Sequence, residues 1–279
     1  MSLRGLLAIT RPVNSFIAGL AAVLGYLIAT TTITTPSLVL IPIVALITAA
    51  GNVINDYFDA DIDAVNRPKR PIPSGAVRRG SARAFATILF LCGILLALFT
   101  NPFCIIITVF NSLLLFAYAA KLKSTPLSGN IAVSYLSASI FLFGGALAGT
   151  PGLFQNLPVA CITFFAMLAR ELLKDAEDIE GDAAGGARTL PMDIGIPNTS
   201  RLALLCAVFA IGASAIPSVR WGALYLAGIA VVDLIILAAA IRALPCTTAA
   251  CVKASRVTTL LKAGMFASLV VFSLSALAL

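Results

Sequence analysis

Apolar runs close to twenty residues long recur from one end of this chain to the other, and no other feature limits its fold so strongly. A helix needs about 20 residues to cross the hydrocarbon of a bilayer. Laying the runs out at that spacing predicts nine membrane-spanning helices, near 14–33, 37–55, 82–100, 103–120, 130–149, 157–173, 200–217, 221–241 and 258–278. The composition agrees, with 60% hydrophobic and 11% charged residues and a mean hydropathy of +1.03, where a soluble domain carries roughly 25% charged residues. The spans leave no room for a water-soluble domain, so residues 1–279 are expected to form one membrane-embedded, all-α domain.

A net charge of +7 would suit a nucleic-acid partner if the basic residues were not so unevenly placed. Counted over alternate connections, Lys and Arg fall almost entirely on one side of the membrane. Arg4, Arg11, Arg67, Lys69, Arg70, Arg78, Arg79, Arg83, Lys121, Lys123, Arg170, Lys174, Arg188, Arg201, Arg242, Lys253, Arg256 and Lys262 share that side, and Arg220 alone takes the other. Cytoplasmic loops carry such an excess, so the chain is expected to be a multi-pass protein of the cell membrane with a cytoplasmic N-terminus, an external C-terminus and no nucleic-acid partner. The first apolar run lacks a cleavage pattern and is expected to stay as a helix. Cys92, Cys104, Cys161 and Cys206 sit singly in apolar spans, whereas Cys246 and Cys251 fall in a cytoplasmic-side connection where thiols stay reduced. Neither a disulfide nor a zinc site is expected.

The chain has twelve acidic residues, of which Asp56, Asp59, Asp61 and Asp63 end the second span, and Glu171, Asp175, Glu177, Asp178, Glu180 and Asp182 end the sixth. Asp56, Asp59 and Asp63 repeat as Asp175, Asp178 and Asp182, each 119 positions later. Steps of three and four return to one helix face, so each triplet is expected to stand as a column of carboxylates. A like-charged pair at about 5–6 Å costs on the order of 3 kcal/mol at an effective dielectric near 20, and the negative end of the helix dipole disfavours acids there as well. One such cluster reads equally well as solvated loop residues. Two in matching register call for a cation.

Oxygen donors in a chain without histidine point to a hard ion, Mg²⁺ ahead of zinc or copper. The start Asp59-Ala60-Asp61-Ile62-Asp63 has an EF-hand look, but Ala64 stands at the glycine position and Arg70 at the bidentate glutamate position, which excludes calcium. Mg²⁺ held by carboxylates commonly completes its shell with phosphate oxygens. The proline-stiffened run from Asn66 to Gly75 holds Arg67, Lys69 and Arg70 beside the first column, as a positive-inside loop or as the basic half of a diphosphate site.

These residues match a family. Asn55-Asp56-Tyr57-Phe58-Asp59-Ala60-Asp61-Ile62-Asp63 resembles the NDxxDxxxD signature of the UbiA superfamily of intramembrane prenyltransferases, and the segment from Asp175 to Asp182 resembles its DxxDxxxD motif. Arg11-Pro12 with Asn14, the Arg-Pro-Ile-Pro-Ser-Gly run ending at Gly75, and Tyr118 followed by Lys121 and Lys123 are similar in order and spacing. The resemblance covers nearly the whole chain. It implies a nine-helix bundle around a central cavity, capped on the cytoplasmic side, where aspartate-bound Mg²⁺ holds a prenyl diphosphate. Asn55, Asp59, Asp63, Asp178 and Asp182 match the catalytic metal and diphosphate positions, and Asp56 and Asp175 an extra acidic position found in part of the family. Asn14, Asn52, Arg67, Lys69, Arg70, Tyr118, Lys121, Lys123, Lys174 and Arg188 are the candidates for substrate contact. The form running from Glu171 to Asp182 and on to Ala187-Arg188-Thr189-Leu190-Pro191 most resembles the branch that joins geranylgeranyl diphosphate to the free hydroxyl of geranylgeranylglyceryl phosphate. That reaction makes the second ether bond of archaeal membrane lipids. Branches with quinone, chlorophyll or haem acceptors share the first motif.

Such chemistry needs the leaving diphosphate neutralised and a dry cavity for an allylic cation. Tyr118, Phe116, Phe164 and Phe165 are candidate cation-stabilising faces or ordinary packing residues. Asp233, Asn111 and Asn14 are polar residues in the spans, and Gly145 with Gly149 forms a GxxxG pair suited to close helix approach. A transporter would place charge near the midplane, and a lipid-binding scaffold would leave both columns unexplained.

Overall fold

The computed structural model describes residues 2–278, and among them there is no strand. The helices in chain order are α1 (Leu3–Ile9), α2 (Pro12–Thr30), α3 (Leu40–Phe58, after a 3₁₀ turn at Thr35–Val39), α4 (Ala60–Asn66), α5 (Arg79–Ala97), α6 (Pro102–Ala120), α7 (Ser128–Leu147), α8 (Thr150–Ala184), α9 (Leu190–Ile194), α10 (Ile196–Ser214), α11 (Ser218–Ala243), α12 (Ala249–Ala254) and α13 (Val257–Leu277). Nine of these, α2, α3, α5, α6, α7, α8, α10, α11 and α13, are long and apolar enough to cross a membrane, as the spacing of apolar runs predicts. Large apolar side chains such as Leu91, Leu95, Ile106 and Leu113 stand more than half exposed, the surface expected where the surrounding solvent is lipid.

The chain packs as two compact units, Met1–Lys121 with Ile140–Phe154, and Leu122–Ser139 with Gln155–Leu279. In the first, Ala22, Val23, Leu40, Ile43, Ala97, Cys104, Phe143 and Ala146 form a buried cluster. Small residues let the backbones close up there: a Cβ on Gly144 would lie 2.2 Å from the Ala22 carbonyl oxygen. That tight approach falls at Gly144, beside the expected GxxxG pair; the Gly145 carbonyl oxygen would lie 2.5 Å from a Cβ on Gly152, and Gly149 takes a φ of +85° just after α7. Asn101 caps α6 by accepting from the Cys104 N–H at 3.0 Å and donates its amide to the Ala146 carbonyl at 2.6 Å.

In the second unit α11 packs on α10 and α13, with Trp221, Tyr225 and Phe272 in a buried aromatic group. Asp233 accepts from the Ser214 hydroxyl at 2.6 Å, and the Tyr225 hydroxyl donates to the Ser214 carbonyl at 2.8 Å. The intramembrane carboxyl group is therefore hydrogen-bonded by the end of a neighbouring helix. Phe165 packs on Phe209 of α10. The thiols depart from expectation, since Cys246 and Cys251 are joined as a disulfide. The short connection into α12 brings their Cα atoms to 5.4 Å, within disulfide reach.

The largest difference from the expected spans is α8, which has 35 residues where 157–173 was expected. At 1.5 Å per residue it is about 52 Å long, against about 30 Å of hydrocarbon. Loss of apolar character marks where a helix leaves lipid, not where its backbone hydrogen bonds stop. The second set of acids therefore lies on uninterrupted helix.

Candidate active site

The first acid column stands at the α3–α4 junction. Asp59 ends α3 and begins α4 with φ −81° and ψ 0°, yet its N–H still donates to the Asn55 carbonyl at 2.9 Å, and the Asp63 N–H donates to the Asp59 carbonyl at 2.8 Å. The i, i+4 ladder survives the bend, so the three carboxylates keep one face. Asp56 and Asp63 are buried, at 4% and 6% exposure, and Asp59 is half-buried, accepting from the Asn55 amide at 2.8 Å.

Arginine answers part of the charge. Arg70 Nη1 donates to Asp63 at 2.6 Å and to Asp56 at 3.2 Å, and Arg11 Nη2 donates to Asp56 at 2.7 Å. Of the three basic residues expected beside this column, Arg70 turns onto it while Arg67 and Lys69 are exposed. The hydrogen-bonded turns of 67–77, including Arg70 N–H to Arg67 O and Val77 N–H to Pro71 O, hold Arg70 in place. Asp61, off the column, is exposed and pairs with Arg79 at 2.9 Å. Asn52, expected to touch substrate, donates to the Thr10 carbonyl at 3.2 Å, and Asn14 is exposed on the first turn of α2. Arg11 takes the left-handed conformation, φ 49°, which costs a non-glycine residue roughly 1–2 kcal/mol; the ion pair to Asp56 and the Asn52–Thr10 bond fix that turn.

The second column lies on α8 in the other unit. Asp175 is half-buried and accepts from the Asn130 amide of α7 at 2.8 Å, Asp182 is half-buried, and Asp178 is exposed. One turn before Asp175, buried Glu171 pairs with Arg170 and with Lys174 at 3.5 Å. Its four-residue spacing from Asp175 puts it on the same face, so the column has a fourth member that the spacing of sequence alone would have supplied. Lys174 is exposed. The Arg188 N–H donates to the Ser124 carbonyl at 3.2 Å and its side chain pairs with Asp193 at 2.8 Å, which joins the loop after the second motif to the segment holding Lys123. Tyr118 and Lys123 are half-buried and Lys121 is exposed. Arg11 and Asn130 are the partners that sequence did not assign; the polar residues at the starts of otherwise apolar helices were the available signal.

Among the described residues no three carboxylates close around a single point. The donor chemistry nevertheless fits a hard cation. Every candidate donor is oxygen, and an ionised carboxylate has about four acceptor sites, of which Asp56 uses two for its arginines. Apolar helices ending in aspartate columns, with arginines turned onto the acids of the first, agree with the resemblance to intramembrane prenyltransferases.

A family model described as the UbiA prenyltransferase family matches residues 17–273, and the chain belongs to that family. It is 62% identical over 276 residues, 99% of each chain, to a digeranylgeranylglyceryl phosphate synthase of Methanoregula boonei. Among solved structures it resembles one of a digeranylgeranylglyceryl phosphate synthase, at 33% identity with a TM-score of 0.89 and 99% of each chain covered. A UbiA homologue from Archaeoglobus fulgidus bound to GPP and Mg²⁺ shares the fold, at 16% identity and a TM-score of 0.58, with 99% of this chain and 100% of that one covered. Family membership displaces the transporter and scaffold alternatives.

Proposed function

We propose that this chain transfers a geranylgeranyl group from geranylgeranyl diphosphate to the free hydroxyl of geranylgeranylglyceryl phosphate, forming the second ether bond of an archaeal membrane lipid. The observation that carries this is the 62% identity, over nearly the full length of both chains, to the Methanoregula boonei synthase. Mg²⁺ is the proposed metal, supported by the oxygen-only donor set and by the Archaeoglobus fulgidus homologue bound to GPP and Mg²⁺.

Asn55, Asp59 and Asp63 on one column, and Asp178 and Asp182 on the other, are the proposed metal and diphosphate ligands, with Asp56 and Asp175 as additional acids. Bound Mg²⁺ supplies charge compensation for the departing diphosphate. Arg70 orients Asp56 and Asp63, Asn55 orients Asp59, and Asn130 orients Asp175. Arg67 and Lys69 contact diphosphate oxygens, Lys121, Lys123, Lys174 and Arg188 take the acceptor phosphate, and Asn14, Asn52 and Tyr118 line the substrate path. The apolar helices keep water from the allylic cation. The basic loops and the acids face the cytoplasm.

Purified protein in detergent, given Mg²⁺, labelled geranylgeranyl diphosphate and either geranylgeranylglyceryl phosphate or 4-hydroxybenzoate, should form the doubly prenylated glyceryl phosphate. Prenylation of 4-hydroxybenzoate alone would refute the acceptor assignment.

A further inference from the structure

Burial along α8 stops abruptly. Leu172, Leu173 and Ala176 are fully buried, and from Glu177 to Ala184 no residue of the helix is buried. Asp178 and Asp182 thus stand on a projecting stretch with few apolar contacts to fix its rotation, and such stretches open locally at little cost. At the point where burial ends, Glu177 Oε2 accepts a hydrogen bond from the Thr258 hydroxyl at 2.7 Å. Thr258 is the second residue of α13 and lies 81 positions away in sequence.

Glu177, like Glu171 and Glu180, is an acid of this cluster that the metal assignment leaves unused. At about 100° per residue, from 3.6 residues per turn, it lies about 160° around α8 from Asp175, about 140° from Asp182 and about 100° from Asp178, off the column face. Asn130 holds Asp175 from the column face and Thr258 holds Glu177 from the back. Two bonds on opposed faces, two residues apart, resist rotation of the helix about its axis, which neither does alone. The start of α13 is itself held by packing, because Val257 and Leu261 are fully buried.

We propose that Thr258 is a positioning residue for the second acid column, acting through Glu177 to aim Asp178 and Asp182. This rests on the assignment of those two aspartates as metal ligands. Thr258→Val keeps the shape and removes the donor, and Thr258→Ser keeps the donor.

The test is Mn²⁺ binding in the presence of inorganic pyrophosphate, read by electron paramagnetic resonance on purified protein in detergent, with the apparent Tm recorded for each variant. Thr258→Val should weaken Mn²⁺ binding by up to about tenfold, bounded by the worth of one hydrogen bond to a charged group, with the Tm lowered by only a few degrees, and Thr258→Ser should return both to near wild type, the affinity to within twofold. If Thr258→Val does not fold, Glu177→Gln, which leaves a weaker acceptor, should give a smaller loss in the same direction. Wild-type affinity in the folded Val or Gln variant, or a loss that Ser does not repair, overturns the positioning role. Absence of Mn²⁺ binding by the wild type overturns the metal assignment itself, and the positioning role with it.

Discussion

Arg70 carries the heaviest electrostatic load in the first column, and its removal has a calculable consequence. Its side chain is 20% exposed, and its guanidinium bonds two carboxylates with side-chain exposures of 5% and 8%. Breaking a buried ion pair by deleting one partner costs about 3–5 kcal/mol, and the partial exposure of Arg70 favours the lower figure. At roughly 2–4 °C per kcal/mol for a chain of this size, Arg70→Ala should lower the apparent Tm by about 6–12 °C. The measurement is made in chelator at one scan rate, since unfolding from detergent is treated as irreversible. Asp63→Asn removes the like charge that Arg70 separates from Asp56, so the double variant should lose less than the sum of the singles, by about 1–3 kcal/mol. Strict additivity would refute the claim that Arg70 is the internal countercharge of Asp56 and Asp63.

Asp61, exposed and paired with Arg79 off the column, should tolerate Ala with less than a threefold change in prenyl transfer, whereas Asp63→Ala should reduce it by orders of magnitude; equal damage would break the helical-face assignment. Gly144→Ala should destabilise by about 1–3 kcal/mol through overpacking, seen as a lower Tm and yield, because its Cβ would fall 2.2 Å from the Ala22 carbonyl oxygen; an unchanged Tm would contradict that packing. An impermeant maleimide applied to sealed cells should miss a cysteine introduced at Ser74 and label it after lysis. Labelling before lysis would reverse the cytoplasmic assignment of the basic loops.

How much of this was legible depended on whether the physics was local. Span length and continuous hydrophobicity specify nine helices because the bilayer sets one length for all of them, and the three-four spacing of Asp56, Asp59 and Asp63 survives even the bend at Asp59. The far end of α8 was not legible from hydropathy, because its helix is kept by backbone bonds after its apolar face has ended. The partners of the acids were hidden for a different reason. Arg11 reaches Asp56 across 45 positions and Thr258 reaches Glu177 across 81, and such pairings follow from packing that no local pattern encodes. The Cys246–Cys251 bridge went against an expectation drawn from compartment, which says nothing about how closely a short turn brings two side chains.

The central claim is that the repeated aspartate columns act as metal ligands in prenyl transfer. The most direct test is the rate of transfer from geranylgeranyl diphosphate to geranylgeranylglyceryl phosphate, measured in chelator and across a Mg²⁺ titration for the wild type, Asp59→Ala and Asp178→Ala. The wild type should be inactive in chelator and recover fully with Mg²⁺ or Mn²⁺, while each variant should stay at least a hundredfold slower at saturating metal. Full turnover in chelator, or a variant at either column that retains most of the wild-type rate, would contradict the claim.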